Sequence, residues 1–271
     1  MSDDGQQSTP SFQKTAPAKQ KYPPRIAFLD EVRGSCIFLM VIYHALYTVG
    51  YLLDVAVARR LFVFFAPVEP LFAGIFIFLC GLCCTLSHSN LRRGSLLALV
   101  AAGVSVVMAL FFPGEPIWFG VLHLLAACIL LYAALAQPLR RVPTAVGLTV
   151  CAVLFVLCLG VPVEEGRGAF GLPGVWQWTV PEALVRCPWL YPLGLGRLPG
   201  AQADYFPLLP WIFCFFAGSF VGRPVAAGRA PQWMTPPHLP PLAFLGRHAL
   251  VVYLLHQPLI FGIGRAIQHL F

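Results

Sequence analysis

An all-α, polytopic integral membrane bundle is the fold class this sequence predicts, and three observations predict it. Of 271 residues, 58% are hydrophobic and only 11% charged, with a mean hydropathy of +0.76; a soluble domain carries about 25% charged residues. The apolar residues arrive in blocks of roughly 18 to 20, the length that crosses about 30 Å of hydrocarbon as a helix. The basic residues behind the net charge of +7 lie in short connections between those blocks. They form no aromatic-interleaved patch of the kind that reads nucleic acid, so no nucleic-acid partner is expected. Backbone groups inside lipid have no water to bond, which makes the blocks helices.

The first 24 residues are polar and rich in Pro, Gln and Ser, without the apolar stretch of a signal peptide, and read as a disordered cytoplasmic arm. Residues 25–271 form the membrane domain, with spans expected at about 34–53, 70–88, 95–112, 117–136, 143–161, 207–222 and 244–264. The stretch around Leu61–Phe65 is too short to cross and leads into the second span. About seven transmembrane helices result.

Orientation follows from the loops. A cytoplasmic N-terminus puts Lys14, Lys19, Lys21, Arg25, Arg92, Arg93, Arg140, Arg141, Arg223, Arg229 and Arg247 inside. Arg59, Arg60, Arg167, Arg186, Arg197 and Arg265 then lie outside, in keeping with the positive-inside rule. One connection differs from the rest. The outer loop 161–206 is long and rich in Gly, Pro and Trp (Trp176, Trp178, Trp189). It reads either as a lid or half-buried hairpin over the outer mouth, or as an interfacial loop.

Eight of the nine cysteines lie in apolar blocks and only Cys187 in a long loop, which is no disulfide framework. Cys80, Cys83 and Cys84 have no His or further Cys nearby to complete a ligand set. They read as small polarizable side chains at a helix contact, and no metal site is expected.

Ionisable side chains inside a bilayer are costly and mark function. Asp30 and Arg33 are three apart and pair on one helical face. Arg33 and His44 are eleven apart, which returns to within about 20° of the same face with a rise of roughly 16 Å. One stripe therefore carries a cation near the cytoplasmic surface and an imidazole near mid-membrane. His123 lies on the outer part of the fourth span. Asp204 and Tyr205 precede Pro207 and Pro210, which open the sixth span and place acceptors at its outer mouth. Arg247 stands at the cytoplasmic start of the last span, with His256 and Gln257 near mid-membrane beside Pro258. Nine residues separate Arg247 from His256, so on one unbroken helix they face opposite ways, and His256 is the better cavity residue.

These motifs occur in a telling order: Leu29-Asp-x-x-Arg-Gly followed by Met40-x-x-x-His44, Gly74-Ile-Phe-Ile-Phe-Leu-x-Gly81, Phe119-Gly-Val-Leu-His123, Asp204-Tyr-Phe-Pro-Leu-Leu-Pro-Trp211 and Tyr253-Leu-Leu-His-Gln-Pro258. From Arg25 onward the chain resembles bacterial proteins related to the catalytic domain of heparan-alpha-glucosaminide N-acetyltransferase, in the transmembrane acyltransferase group. The acyltransferase-3 family shares the opening Arg-x10-His; the two later motifs favour the first family. The resemblance implies a multi-pass enzyme of the cytoplasmic membrane, with acetyl-CoA or another acyl-CoA as donor on the cytoplasmic side. A sugar-like or other polar acceptor, meeting Asp204 and Tyr205, would lie outside.

In that scheme the catalytic candidates are His44, Asp30, His256 and His123. His44 takes the acyl group or deprotonates the acceptor, while His256, Gln257 and His123 polarise the thioester carbonyl. Arg33 first and Arg247 second engage the CoA phosphates. One departure stands out: relatives often carry Asp after His-x-x-Tyr, whereas Thr48 follows Tyr47 here. If an Asp orients the histidine, that role is lost or moves to another group. A transporter or flippase for a polar or lipid-linked solute, and a non-catalytic membrane partner, remain the alternatives. Membrane lipid is the surrounding partner, and a homo-oligomer is left open.

Overall fold

The computed structural model describes residues 25–111, 114, 116–162, 168–196 and 204–270. The N-terminal arm, Arg167 and Arg197 lie outside the described residues. Ten α-helices and one two-stranded hairpin follow in chain order among those described. They are α1 (Ala27–Tyr47), α2 (Ala56–Phe65), α3 (Glu69–Leu86), α4 (Asn90–Phe111), α5 (Val121–Arg141), α6 (Thr144–Cys158), β1 (Ala169–Leu172), β2 (Trp176–Thr179), α7 (Glu182–Val185), α8 (Leu208–Ala226), α9 (Pro240–Arg247) and α10 (Ala249–Leu270). A π-helical turn over Thr48–Leu52 extends α1, and a 3-10 turn over Ala66–Val68 joins α2 to α3.

Among the described residues six segments are long and apolar enough to cross a membrane: Ala27–Tyr51, Ala56–Leu86, Asn90–Phe111, Val121–Arg141, Leu208–Ala226 and Ala249–Ile267. The chain is thus an all-helical polytopic membrane protein, with six such helices among the described residues and a shorter apolar helix, α6, in the place of the remaining expected span. The difference lies in the 143–161 block. Its helix, α6, has 15 residues, about 22 Å at 1.5 Å per residue, because the chain turns at Leu159–Gly160 and Gly160 accepts a 2.7 Å bond from the Ala169 N–H of the hairpin. The last span also begins later than expected. At His248 the backbone leaves helical geometry (φ −106°, ψ 20°). Residues 240–247 form a separate short helix, and the opposite-facing argument for Arg247 and His256 lapses with the break.

Two of the tightest helix crossings are built on paired glycines. A Cβ on Gly81 would strike the Phe215 carbonyl, and one on Gly218 the Phe78 carbonyl, so α3 and α8 touch backbone to backbone. Gly34 meets the Leu242 carbonyl and Gly246 the Asp30 carbonyl, which does the same for α1 and α9. With no hydrophobic force between helices in lipid, such close approach is what packs them. The acidic pair beside Gly34 completes the second crossing. Asp30 accepts from Arg25 at 2.7 Å and from Arg33 at 3.0 Å. Glu31 accepts the His238 and Leu239 N–H groups at 2.5 and 2.7 Å, satisfying donors at the start of α9.

The core gathers Ile77, Cys84, Leu124, Cys128 and Phe215 where α3, α5 and α8 meet. Outward, α4 and α10 expose Leu99, Leu110, Phe111, Leu259 and Ile263, a surface made for acyl chains rather than water. In the long loop, β1 and β2 pair antiparallel from Ala169↔Thr179 to Leu172↔Trp176. A 3-10 turn, Pro188–Leu193, then brings Tyr191 onto Tyr205, the rings stacked at 4.4 Å.

Candidate active site

Helical spacing lines a cavity. From α1 come Cys36, Ile37, Met40, Tyr43 and His44, and from α3 Glu69, Phe72, Ala73 and Phe76, each set recurring at three- and four-residue steps on one face. Val121, Asp204, Phe206 and Tyr253 close the remaining sides. The cavity is small and open at its mouth, and apolar except for two phenols, one imidazole and two carboxyls. That is the usual make-up of a small-molecule site.

His44 is held rather than free. Gln257 Nε2 lies 3.0 Å from His44 Nδ1, and Thr48 donates its hydroxyl to Gln257 Oε1 at 3.2 Å. Thr48 is 2% exposed, so this anchor is dry. The residue that departs from the expected Asp therefore still reaches His44, through Gln257. His256 stands beside it with ring centroids 5.0 Å apart. Its Nδ1 lies 2.6 Å from the Tyr253 carbonyl, while its Nε2 is buried without a partner among the described residues.

Asp204 sits against the backbone of the α5 start. Its Oδ2 accepts the Tyr253 hydroxyl at 2.6 Å and the Val121 N–H at 3.2 Å. Only a glycine at 120 lets it approach so closely, since a Cβ there would overlap the carboxylate. The exposure Asp204 retains is to the cavity, and burial pushes its carboxyl above the ordinary carboxylate range, against the lowering effect of the two bonds it accepts.

The fold thus brings His44, His256, Gln257 and Asp204 together, and leaves three other candidates elsewhere. Asp30 lies 14 residues before His44 along α1, about 21 Å away, and serves its arginines. His123 is used by the backbone: its Nδ1 accepts the Gly120 N–H at 3.3 Å and its Nε2 lies 3.2 Å from the Ser105 hydroxyl, tying α4 to the start of α5. Tyr205 donates to the Tyr191 carbonyl at 2.9 Å and holds the long loop.

At the other end of the bundle Arg33 is largely buried. It is engaged by Asp30 and by Cys83 Sγ at 2.8 Å, whereas Arg247 is exposed and has no ion pair among the described residues. Sequence reasoning missed Glu69. It stands in the Glu-Pro step that opens α3, and a lone carboxyl before an apolar run was the available signal. No group of three or more His, Cys, Asp or Glu suited to a metal occurs among the described residues.

An intramembrane imidazole fixed by its neighbours over a mixed polar and apolar cavity, inside a bundle of six spanning helices, defines a polytopic membrane protein with a built internal site. The family model described as heparan-alpha-glucosaminide N-acetyltransferase, catalytic, matches residues 25–258, and the chain belongs to that family, one of membrane acetyltransferases. The match runs from Arg25 to Pro258 and so contains every group described above. No curated protein and no solved structure gives a significant match.

Proposed function

We propose that the protein transfers an acyl group, acetyl first among the candidates, from acyl-CoA reaching the cavity from the arginine-bearing end to a hydroxyl or amine entering past Asp204. The observation that supports this best is the fixing of His44 by Gln257 and Thr48 in the wall of the cavity. A positioned imidazole is the group that acyl transfer needs. In the reaction the thioester C–S bond breaks and a C–O or C–N bond forms. The acceptor's proton passes to the His44 ring and from there to the leaving sulfur. The carboxyls of Glu69 and Asp204, with the Tyr43 and Tyr253 hydroxyls, give the acceptor side hydrogen-bonding groups and no cation. A polar, uncharged or cationic acceptor suits that lining; a carbohydrate amine or hydroxyl is one.

For the donor, the free guanidinium of Arg247 is the first phosphate contact and Arg33 stands behind it. The α1–α9 crossing sets Gly246 against the Asp30 carbonyl, so Arg247 adjoins the turn that carries Arg33. In this reading the cytoplasm supplies the acyl-CoA and the acceptor waits on the far side.

Calorimetry of acetyl-CoA on purified protein in detergent tests the assignment. Binding should survive His44→Ala and weaken about tenfold or more, worth roughly 1.4 kcal/mol or above, in Arg247→Ala. Folded protein that binds neither acetyl-CoA nor a longer acyl-CoA would overturn it.

A further inference from the structure

The side chain that holds His44 has two chemically opposite ends. Gln257 presents its amide nitrogen to His44 Nδ1 and its amide oxygen to the Thr48 hydroxyl. An NH2 group only donates, so Nδ1 accepts, and the neutral ring carries its proton on Nε2. His44 Nε2 has no protein partner among the described residues, and in this state it is a hydrogen-bond donor. It has no lone pair with which to take a proton from an acceptor. His256 beside it is complementary. With Nδ1–H given to the Tyr253 carbonyl, its buried Nε2 is a bare acceptor.

Thr48 makes the opposite state available. A hydroxyl donates or accepts equally well. Turning the Gln257 amide over would set Oε1 toward a protonated Nδ1 of His44 and the NH2 toward Thr48 Oγ1, keeping both contacts while baring Nε2. A carboxylate in place of the amide could only accept and would hold His44 with its proton on Nδ1 throughout. The π-helical turn that begins at Thr48 is the local irregularity that accompanies this contact, as such turns often do at functional sites.

We propose that Gln257, anchored by Thr48, is a positioning pair that selects which nitrogen of His44 carries the proton. It holds the proton on Nε2 in the arrangement seen, and the reversed amide would hold it on Nδ1. The inference rests on His44 being the reacting group. With Nε2–H the ring donates to the thioester carbonyl oxygen as negative charge develops there. With Nε2 bare it takes the acceptor's proton, which then goes to the sulfur as the C–S bond breaks. The two states are alternatives for one attack, so the orientation of the amide decides whether His44 serves as hydrogen-bond donor or as base.

Nitrogen NMR of the full chain in nanodiscs, with histidine rings labelled with 15N, reads the tautomer at mildly alkaline pH, and His44→Gln assigns the signals. The wild type should show His44 with Nε2 protonated and Nδ1 bare. Gln257→Glu should exchange the two signals. Thr48→Val, which keeps the volume and loses the hydroxyl, should replace the single tautomer by a mixture. It should also lower kcat about tenfold with acetyl-CoA affinity unchanged, a share of the 10²–10⁴ that a general base supplies. A wild type with Nδ1 protonated overturns the proposal. So does a folded Gln257→Glu or Thr48→Val variant with the wild-type ring signals. The spectra are readable whether or not the protein turns over acetyl-CoA, so failure of the transferase reading and failure of this one are distinct.

Discussion

Asp204→Asn changes one atom and removes one titration. In the folded protein the carboxyl is pushed above its ordinary range by burial, while in the unfolded chain it titrates normally. The folded state therefore binds the proton more tightly, and stability falls as pH rises from the ordinary carboxylate range through the raised folded value. Below that window both states are protonated and the group contributes no penalty. Within it the slope approaches 1.4 kcal/mol per pH unit for a single proton, by the same conversion that makes one unit of pKa about 1.36 kcal/mol. Asparagine keeps an acceptor for the Tyr253 hydroxyl and the Val121 N–H and never ionises. Thermal unfolding followed by tryptophan fluorescence, at one scan rate from about pH 4 upward, should show the wild-type midpoint falling more steeply through the window than the variant's. Parallel pH dependence of the two proteins would refute the buried-carboxyl account of Asp204.

Gly81→Ala or Gly218→Ala would drive a methyl into a backbone carbonyl across the α3–α8 crossing and should cost about 1–3 kcal/mol or more. Gly103→Ala, with nothing near its Cβ, should cost nothing; equal midpoints for the three in a detergent melt would argue against the crossing. Trp176, Trp178 and Trp189 are exposed on the loop that follows the short α6. Their fluorescence in nanodiscs should be quenched by lipids brominated near the headgroup, and quenching by aqueous iodide alone would place the loop in water instead.

Much of this was open to a reader of the sequence, for a physical reason. Lipid forbids polar side chains, so those inside an apolar block announce themselves; His44 lies against His256 and Gln257, and shares its cavity with Asp204. What the sequence hid depends on the third dimension. Asp30 shares a helical stripe with His44 but stands far along the axis, and helical phase says nothing of which end faces a cavity. His123 was a candidate for polarising the thioester carbonyl, and the Gly120-x-x-His123 spacing is that of a side chain reaching back to cap its own helix. Glu69 sat between the Leu61–Phe65 lead-in and the span expected from about residue 70, and only the packing of α1 on α3 turns it toward the cavity. The 143–161 block had the length of a span, but hydropathy does not register that Gly160 turns it into the hairpin. The break at His248 has no proline or glycine at the residue itself; Gly246, pressed on the Asp30 carbonyl, holds α9 to α1 while α10 departs.

The central claim, that His44 carries acyl transfer, is tested most directly by release of the CoA thiol from acetyl-CoA. Wild-type protein and His44→Gln should be compared in proteoliposomes, with and without an amino-sugar acceptor. Acceptor-dependent thiol release that drops at least about a hundredfold in the variant, with acetyl-CoA binding retained, is the expected result. Full activity in a folded His44→Gln protein would contradict it.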